Sequence, residues 1–153
     1  MSCEPVIRVQ AEDFDPGAEA ERLTAGRKDV GALVSFTGLC RDDGGRLAAL
    51  ELEHYPGMAD AEITRIATEA CGRWPLTGLT VIHRFGRIPA GDNIVLVIAA
   101  SSHRRAAFEA AEFLMDYLKT RAPFWKKEHL TSGTADTWVK ATEIDDAAAG
   151  RWS

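Results

Sequence analysis

"NIVLVIAASSHRRAAFEAAEFLMDYLKTRAPFWKKE", residues 93–128, decides the fold. Its first ten residues are an almost unbroken apolar run, the pattern of a central strand covered on both faces. From His103 the period changes. Ala107, Ala111, Leu114 and Leu118 recur at helical spacing, which predicts an amphipathic helix over 103–121. Pro123 disfavours helical backbone at Ala122 and ends it. "FWKKEHL" (124–130) and "TADTWVKA" (134–141) then read as two short strands around Ser132-Gly133.

Outward from this unit the chain alternates in the same way. "PVIRVQ" (5–10) is a short strand, and Asp15-Pro16 opens a short acid-rich helix. "VGALVSFTGLC" (30–40) is apolar and predicts a buried strand. "RDDGGR" (41–46) is a turn or mobile loop. "LAALELEHY" (47–55) alternates with period two, with Leu50, Leu52 and His54 on one face and Glu51 and Glu53 on the other. Ile63, Ile66, Ala67, Ala70 and Trp74 predict a helix over 58–74, ended by Pro75. "LTVIHRFGRI" (79–88) is a strand and "PAGD" a turn. Strand pairs interleaved with helices predict one α+β domain over residues 1–153, packed in two layers on a mixed or antiparallel sheet. Residues 142–153 read as a loosely held tail in which Trp152 tucks against a neighbour.

Composition narrows the function. Hydrophobic residues make up 46% and charged residues 27%, the profile of a globular protein. The net charge of −5 argues against a general nucleic-acid binder. No apolar run approaches a membrane span, and "MSCEPVIRVQ" does not read as a signal peptide. Cys3, Cys40 and Cys71 are too dispersed for a disulfide framework or a zinc site. A reducing, cytoplasmic setting is expected. His54, His83, His103 and His129 show no metal spacing, and His54 and His83 read as core or interface residues. No metal and no cofactor are expected.

Positive charge is concentrated. Residues 101–127 hold six Lys or Arg against three acids, a local +3 in a chain of −5, which leaves −8 for the rest. Such a cluster attracts anions. At the start of the long helix, Ser101 or Ser102 is a candidate N-cap. His103 and Arg104 follow where free N–H groups suit a phosphate or carboxylate. Arg104 and Arg105 oppose the helix dipole there, so they either serve a site or reach acids elsewhere. Lys119, in the last turn, is what the dipole prefers. Lys126 returns past the helix end after Pro123 and can face Lys119. Two amines held close lower each other's pKa, which fits a lysine for base or nucleophile. Phe124 and Trp125 are either the apolar wall of such a site or plain core. Cys40, beside Arg41, is the one thiol with a neighbouring cation, but a small buried hydrophobe is the favoured reading. No dinucleotide fingerprint, phosphate-binding P-loop or serine-hydrolase elbow is present.

Taken together, "VSFTGLCR", "LELEHYPGMA", "RWPL", "VIHRFGRI", "SSHR", "MDYLKTRAPFWKKE" and the late "TWVKA" resemble the large, catalytic subunit of molybdopterin synthase. The resemblance spans about residues 30–141. It implies an α/β hammerhead fold and a sulfurtransferase of molybdenum cofactor biosynthesis. It also implies a small ubiquitin-like partner whose C-terminal Gly-Gly thiocarboxylate gives sulfur to cyclic pyranopterin monophosphate, twice, to form a dithiolene. Two large subunits are expected as a homodimer within a heterotetramer. The resemblance places the essential lysines at Lys119 and Lys126, and the substrate pocket at Arg41, His103, Arg104, Lys127 and Glu128 beside them. The sequence departs from the family's F-T-G-K-x-R pattern at Leu39, where a lysine often stands. Three other classes compete: a docking module for a ubiquitin-like tail with no chemistry, a phosphate-handling hydrolase or kinase-like enzyme, and an RNA-binding module. The lysine pair argues against the first, the lack of a carboxylate pair or metal motif against the second, and the confined basic region against the third.

Overall fold

The computed structural model describes residues 3–133, the backbone of 137–139, and Trp152. The elements run β1 (Val6–Gln10), α1 (Pro16–Thr24), β2 (Ala32–Leu39), β3 (Leu47–Glu53), α2 (Met58–Arg73), β4 (Leu76–Arg84), β5 (Gly86–Pro89), β6 (Asn93–Ser101), α3 (Arg104–Thr120), β7 (Trp125–Leu130) and β8 (Thr137–Val139). The class is α+β, as the sequence predicts, but the strands divide between two four-stranded sheets. The first, in the order β1-β4-β6-β2, is mixed, since β1 pairs parallel to β4. The second, β5-β3-β7-β8, is antiparallel throughout.

The apolar run of β6 is central, flanked by β4 and β2. Side chains alternate across a strand, so Val95, Val97 and Ala99 join the core beneath α2 and α3. Leu96 and Ile98 join Phe14 and Ile82 on the opposite face, where Ala20 and Leu23 of α1 pack. Two covered faces explain a strand with almost no polar residue. On α3, Ala107, Ala111, Leu114 and Leu118 are all buried, as the spacing predicts.

Two strand expectations are corrected. The stretch 79–88 is not one strand. It breaks at Phe85, and Gly86, at φ +86°, turns the chain out of the first sheet into the second. A left-handed backbone at that corner favours glycine, while the apolar pattern continues across it unchanged. Nor is 30–40 a buried strand. β2 lies at the edge of the first sheet, with Leu33, Phe36 and Leu39 all exposed, Leu39 at 52%.

Local chemistry sets the helix ends. Asp15 caps α1, its Oδ1 accepting from Ala18 N at 3.1 Å, with Pro16 in the first turn. Neither Ser101 nor Ser102 caps α3. The N-cap is His103, without a side-chain cap, because Ser101 Oγ donates to the Pro75 carbonyl at 2.8 Å and Ser102 Oγ to that of Asp29 at 3.0 Å. Both serines tie the β6–α3 corner to neighbouring loops instead. Trp152 stacks edge-on against Trp74 and Phe113 and its indole N–H donates to Asp116. The rest of the predicted tail lies outside the described residues.

Candidate active site

A cleft of about 330 Å³ opens where the two sheets meet the C-terminal half of α3. α3 supplies Met115, Leu118 and Lys119. β7 supplies Lys126 and Glu128, the end of β2 and its loop supply Leu39, Arg41 and Asp43, and β4 supplies His83. Leu50, Leu52, Ile94 and Phe124 complete an apolar lining.

The sequence explains the convergence. Arg121 N donates to Tyr117 O and closes the last turn of α3, leaving Lys119 on that turn. Pro123 stops the helix, and the chain reverses into β7. β7 pairs with β3 in the register Lys126↔Leu52 and Glu128↔Leu50. All four of these residues line the cleft. Alternation along β7 places Lys127 and His129 on the other face. There Glu51, the cross-strand partner of Lys127, bonds His129 Nε2 at 2.8 Å. That bond, foremost, holds the Glu51 carboxyl below its usual range.

The same alternation separates the two aromatics. Phe124 faces the cleft and forms its wall. Trp125 does not: it is 47% exposed and stands edge-on to Tyr55 at 5.4 Å. Glu128 accepts from Arg46 Nη2 at 3.0 Å, and Arg46 also holds Asp43. The 41–46 segment is therefore a turn fastened to β7 at the cleft rim, with Leu47 N donating back to Asp42 O at 2.7 Å.

Sequence context alone does not mark His83 as a site residue, yet it lines the cleft beside both lysines. Its ring stacks on Phe124 at 4.0 Å and 15°. Burial, reinforced by the charges of Lys126, Lys119 and His54, pushes its pKa down to about 4. A neutral imidazole thus sits among cations. Only the tight apolar context of "TVIHRF" hinted at it, and that context reads equally as core.

His103 and Arg104 do not line this cleft. Both are exposed at the far end of α3, and fifteen residues of helix put Arg104 about 22 Å from Lys119 along the axis. Arg105 reaches an acid, Glu109, at 2.7 Å, while Arg104 makes no ion pair among the described residues. Cys40 is 2% exposed and its thiol is pushed up by burial, as a structural hydrophobe should be.

The cleft can therefore hold an anion with an apolar body. Lys119, Lys126 and Arg41 supply the charge, and Phe124 with the leucines supplies a surface of low dielectric that strengthens it. Residues 9–121 match the family described as "MoaE protein". The chain is 69% identical over 148 residues to the molybdopterin synthase catalytic subunit of Mesorhizobium japonicum, covering 97% of this chain and 93% of that one. Among solved structures it resembles the molybdopterin biosynthesis MoaE protein of Burkholderia ambifaria, with 48% identity, a TM-score of 0.81 and 97% of each chain covered. It also resembles molybdopterin synthase of Staphylococcus aureus, with 29% identity, a TM-score of 0.76, and 86% and 95% covered.

Proposed function

The chain belongs to the MoaE family and is an enzyme of molybdenum cofactor biosynthesis with the activity of the molybdopterin synthase catalytic subunit, and from that premise we propose that the Lys119–Lys126 cleft is where sulfur is transferred. The donor is the C-terminal Gly-Gly thiocarboxylate of a small ubiquitin-like partner, the acceptor is cyclic pyranopterin monophosphate, and two transfers give the dithiolene. One observation carries this reading: two lysines from separate elements, α3 and β7, line a single half-apolar cleft together with Arg41.

Each residue then has a physical task. The thiocarboxylate sulfur bonds to the pterin as a thioester. Water or an amine then attacks the thioester carbon and the carbon–sulfur bond breaks, which leaves sulfur on the pterin and the acyl group on the attacking water or amine. The negative charge that this attack builds on the carbonyl oxygen is stabilised by a lysine ammonium at the rim of the cleft. As an ammonium Lys119 does this electrostatically. In the alternative, as a neutral amine, it attacks the thioester carbon itself, sulfur leaves with the pterin, and water later releases the tail from the lysine, while Lys126 moves protons or binds the pterin. Arg41 presents a guanidinium to an anionic oxygen. Glu128, fastened to Arg46, fixes the rim, and Lys127 adds positive potential from the far face of β7.

His103 and Arg104 reach such a site only from a second copy, because about 22 Å of helix separates them from Lys119 in their own chain. The proposed assembly is accordingly a homodimer in which each cleft takes the N-terminal end of the other copy's α3, with a small subunit at each end and a cytoplasmic setting. No helix of the described residues is long and apolar enough to cross a membrane. The test is reconstitution: purified chain, thiocarboxylated partner and cyclic pterin are mixed and dithiolene product is followed by mass spectrometry. Product that appears with the thiocarboxylate and not with the plain carboxylate supports the reading. A complex that forms and yields nothing would make the chain a dock.

A further inference from the structure

His83 is a titratable cleft residue to which the proposed reaction gives no task. Its Nδ1 lies 2.9 Å from the carbonyl oxygen of Arg84. A carbonyl only accepts, so Nδ1 carries the hydrogen and the neutral ring keeps its lone pair on Nε2. The stack on Phe124 fixes the ring plane. His83 lines the cleft, and among the described residues its ring makes no hydrogen bond besides that of Nδ1, which leaves Nε2 for a bound ligand. Burial and the neighbouring Lys126, Lys119 and His54 keep the ring uncharged down to about pH 4.

The surroundings select what this lone pair takes. A cationic donor is repelled by Lys119 and Lys126. An anion offers no hydrogen and is drawn to the lysines instead. Neutral donors remain, O–H as well as N–H, and among them the N–H of a peptide amide or an amino-substituted heterocycle is one that a bound reactant holds rigidly against the ring. We propose that His83 is a ligand-binding residue of the cleft, its Nε2 accepting a hydrogen bond from a neutral N–H of a bound reactant. This rests on the reading that the cleft holds the reactants. Both the partner's tail and the pterin carry this donor chemistry, and the measurement separates them.

The test compares His83→Phe, which keeps a ring on Phe124 but no acceptor, with His83→Gln, whose amide oxygen restores an acceptor near Nε2. Affinity for the carboxylate form of the partner and KM for the cyclic pterin are measured for each, with the thermal midpoint as a folding control. His83→Phe should weaken one reactant by about ten- to hundredfold, the cost of an unpaired buried donor, and His83→Gln should recover most of that loss. Loss in partner affinity identifies the tail, and loss in pterin KM identifies the pterin. Unchanged values for both reactants, or a folded His83→Gln as impaired as His83→Phe, would overturn the assignment. If His83→Phe does not fold, the wild-type Nε2 resonance decides. It should sit at the unprotonated position in the free protein and shift on saturation with one reactant, and no shift would refute the bond. A wild-type chain that binds neither reactant would instead refute the proposed function, so the two failures are distinguishable.

Discussion

Consider a dimer with one Lys119→Ala copy and one Arg104→Ala copy. Fifteen residues of α3 at 1.5 Å each place these side chains about 22 Å apart in one chain, beyond the span of any small reactant held in a cleft of about 330 Å³. If each site combines Lys119 of one copy with Arg104 of the other, one of the two sites in the mixed dimer is doubly altered and the other is intact. Each parental homodimer has two damaged sites. The two variants are co-expressed with different affinity tags, the doubly tagged dimer is isolated, and dithiolene formation is measured in a single turnover. The mixed dimer should give about half the wild-type product while each homodimer gives almost none. Lys119 lies in the last helical turn and Arg104 is exposed at the first, so neither change disturbs the core. A mixed dimer as inactive as its parents would refute the shared site.

Further outcomes follow from the same geometry. Arg104→Ala should weaken pterin binding more than partner binding, and equal losses by titration calorimetry would remove its anion role. Leu39→Lys places a cation on an exposed cleft position. It should lower the KM for the pterin a few-fold and steepen its salt dependence, and a salt-independent KM would contradict this. The buried Glu19 carboxylate accepts from Arg8 at 2.7 and 2.8 Å and from Arg22 at 3.1 Å. Glu19→Gln should cost about 1–3 kcal/mol in denaturant unfolding at pH 7. The Arg8 bonds hold the Glu19 pKa below its usual value. Its stabilisation is therefore full above the unfolded carboxyl's range near pH 4 and is lost as the pH falls through the lower folded value. The wild type and variant should converge at low pH, and a constant gap would refute the linkage.

The sequence was most legible where one physical cause acts alone. β6 and α3 follow from their hydrophobic periods and from Pro123, and so does the return of Lys126 towards Lys119. The break at Phe85-Gly86 was hidden because Ile82 and Ile88 are both fully buried, in different cores, so the apolar pattern never changes. That β2 is an edge strand is a property of neighbours and not of its residues. "VGALVSFTGLC" is as apolar as a central strand, and its exposed Leu33 and Phe36 are known only once the sheet order is. For the site, summing charge over 101–127 merged two ends of one helix that are far apart. The two-residue period of β7 is enough by itself to put Lys126 and Lys127 on opposite faces, and likewise Phe124 and Trp125. His83 was obscure because a cleft wall and a core carry the same apolar neighbours.

The central claim, that the lysine cleft performs chemistry and does not only bind, is tested most directly by Lys119→Ala in a single-turnover reaction with thiocarboxylated partner and cyclic pterin. The variant should keep its fold and its complex with the partner and form no dithiolene. Wild-type product from a folded Lys119→Ala chain would contradict the assignment of this cleft as the site of sulfur transfer.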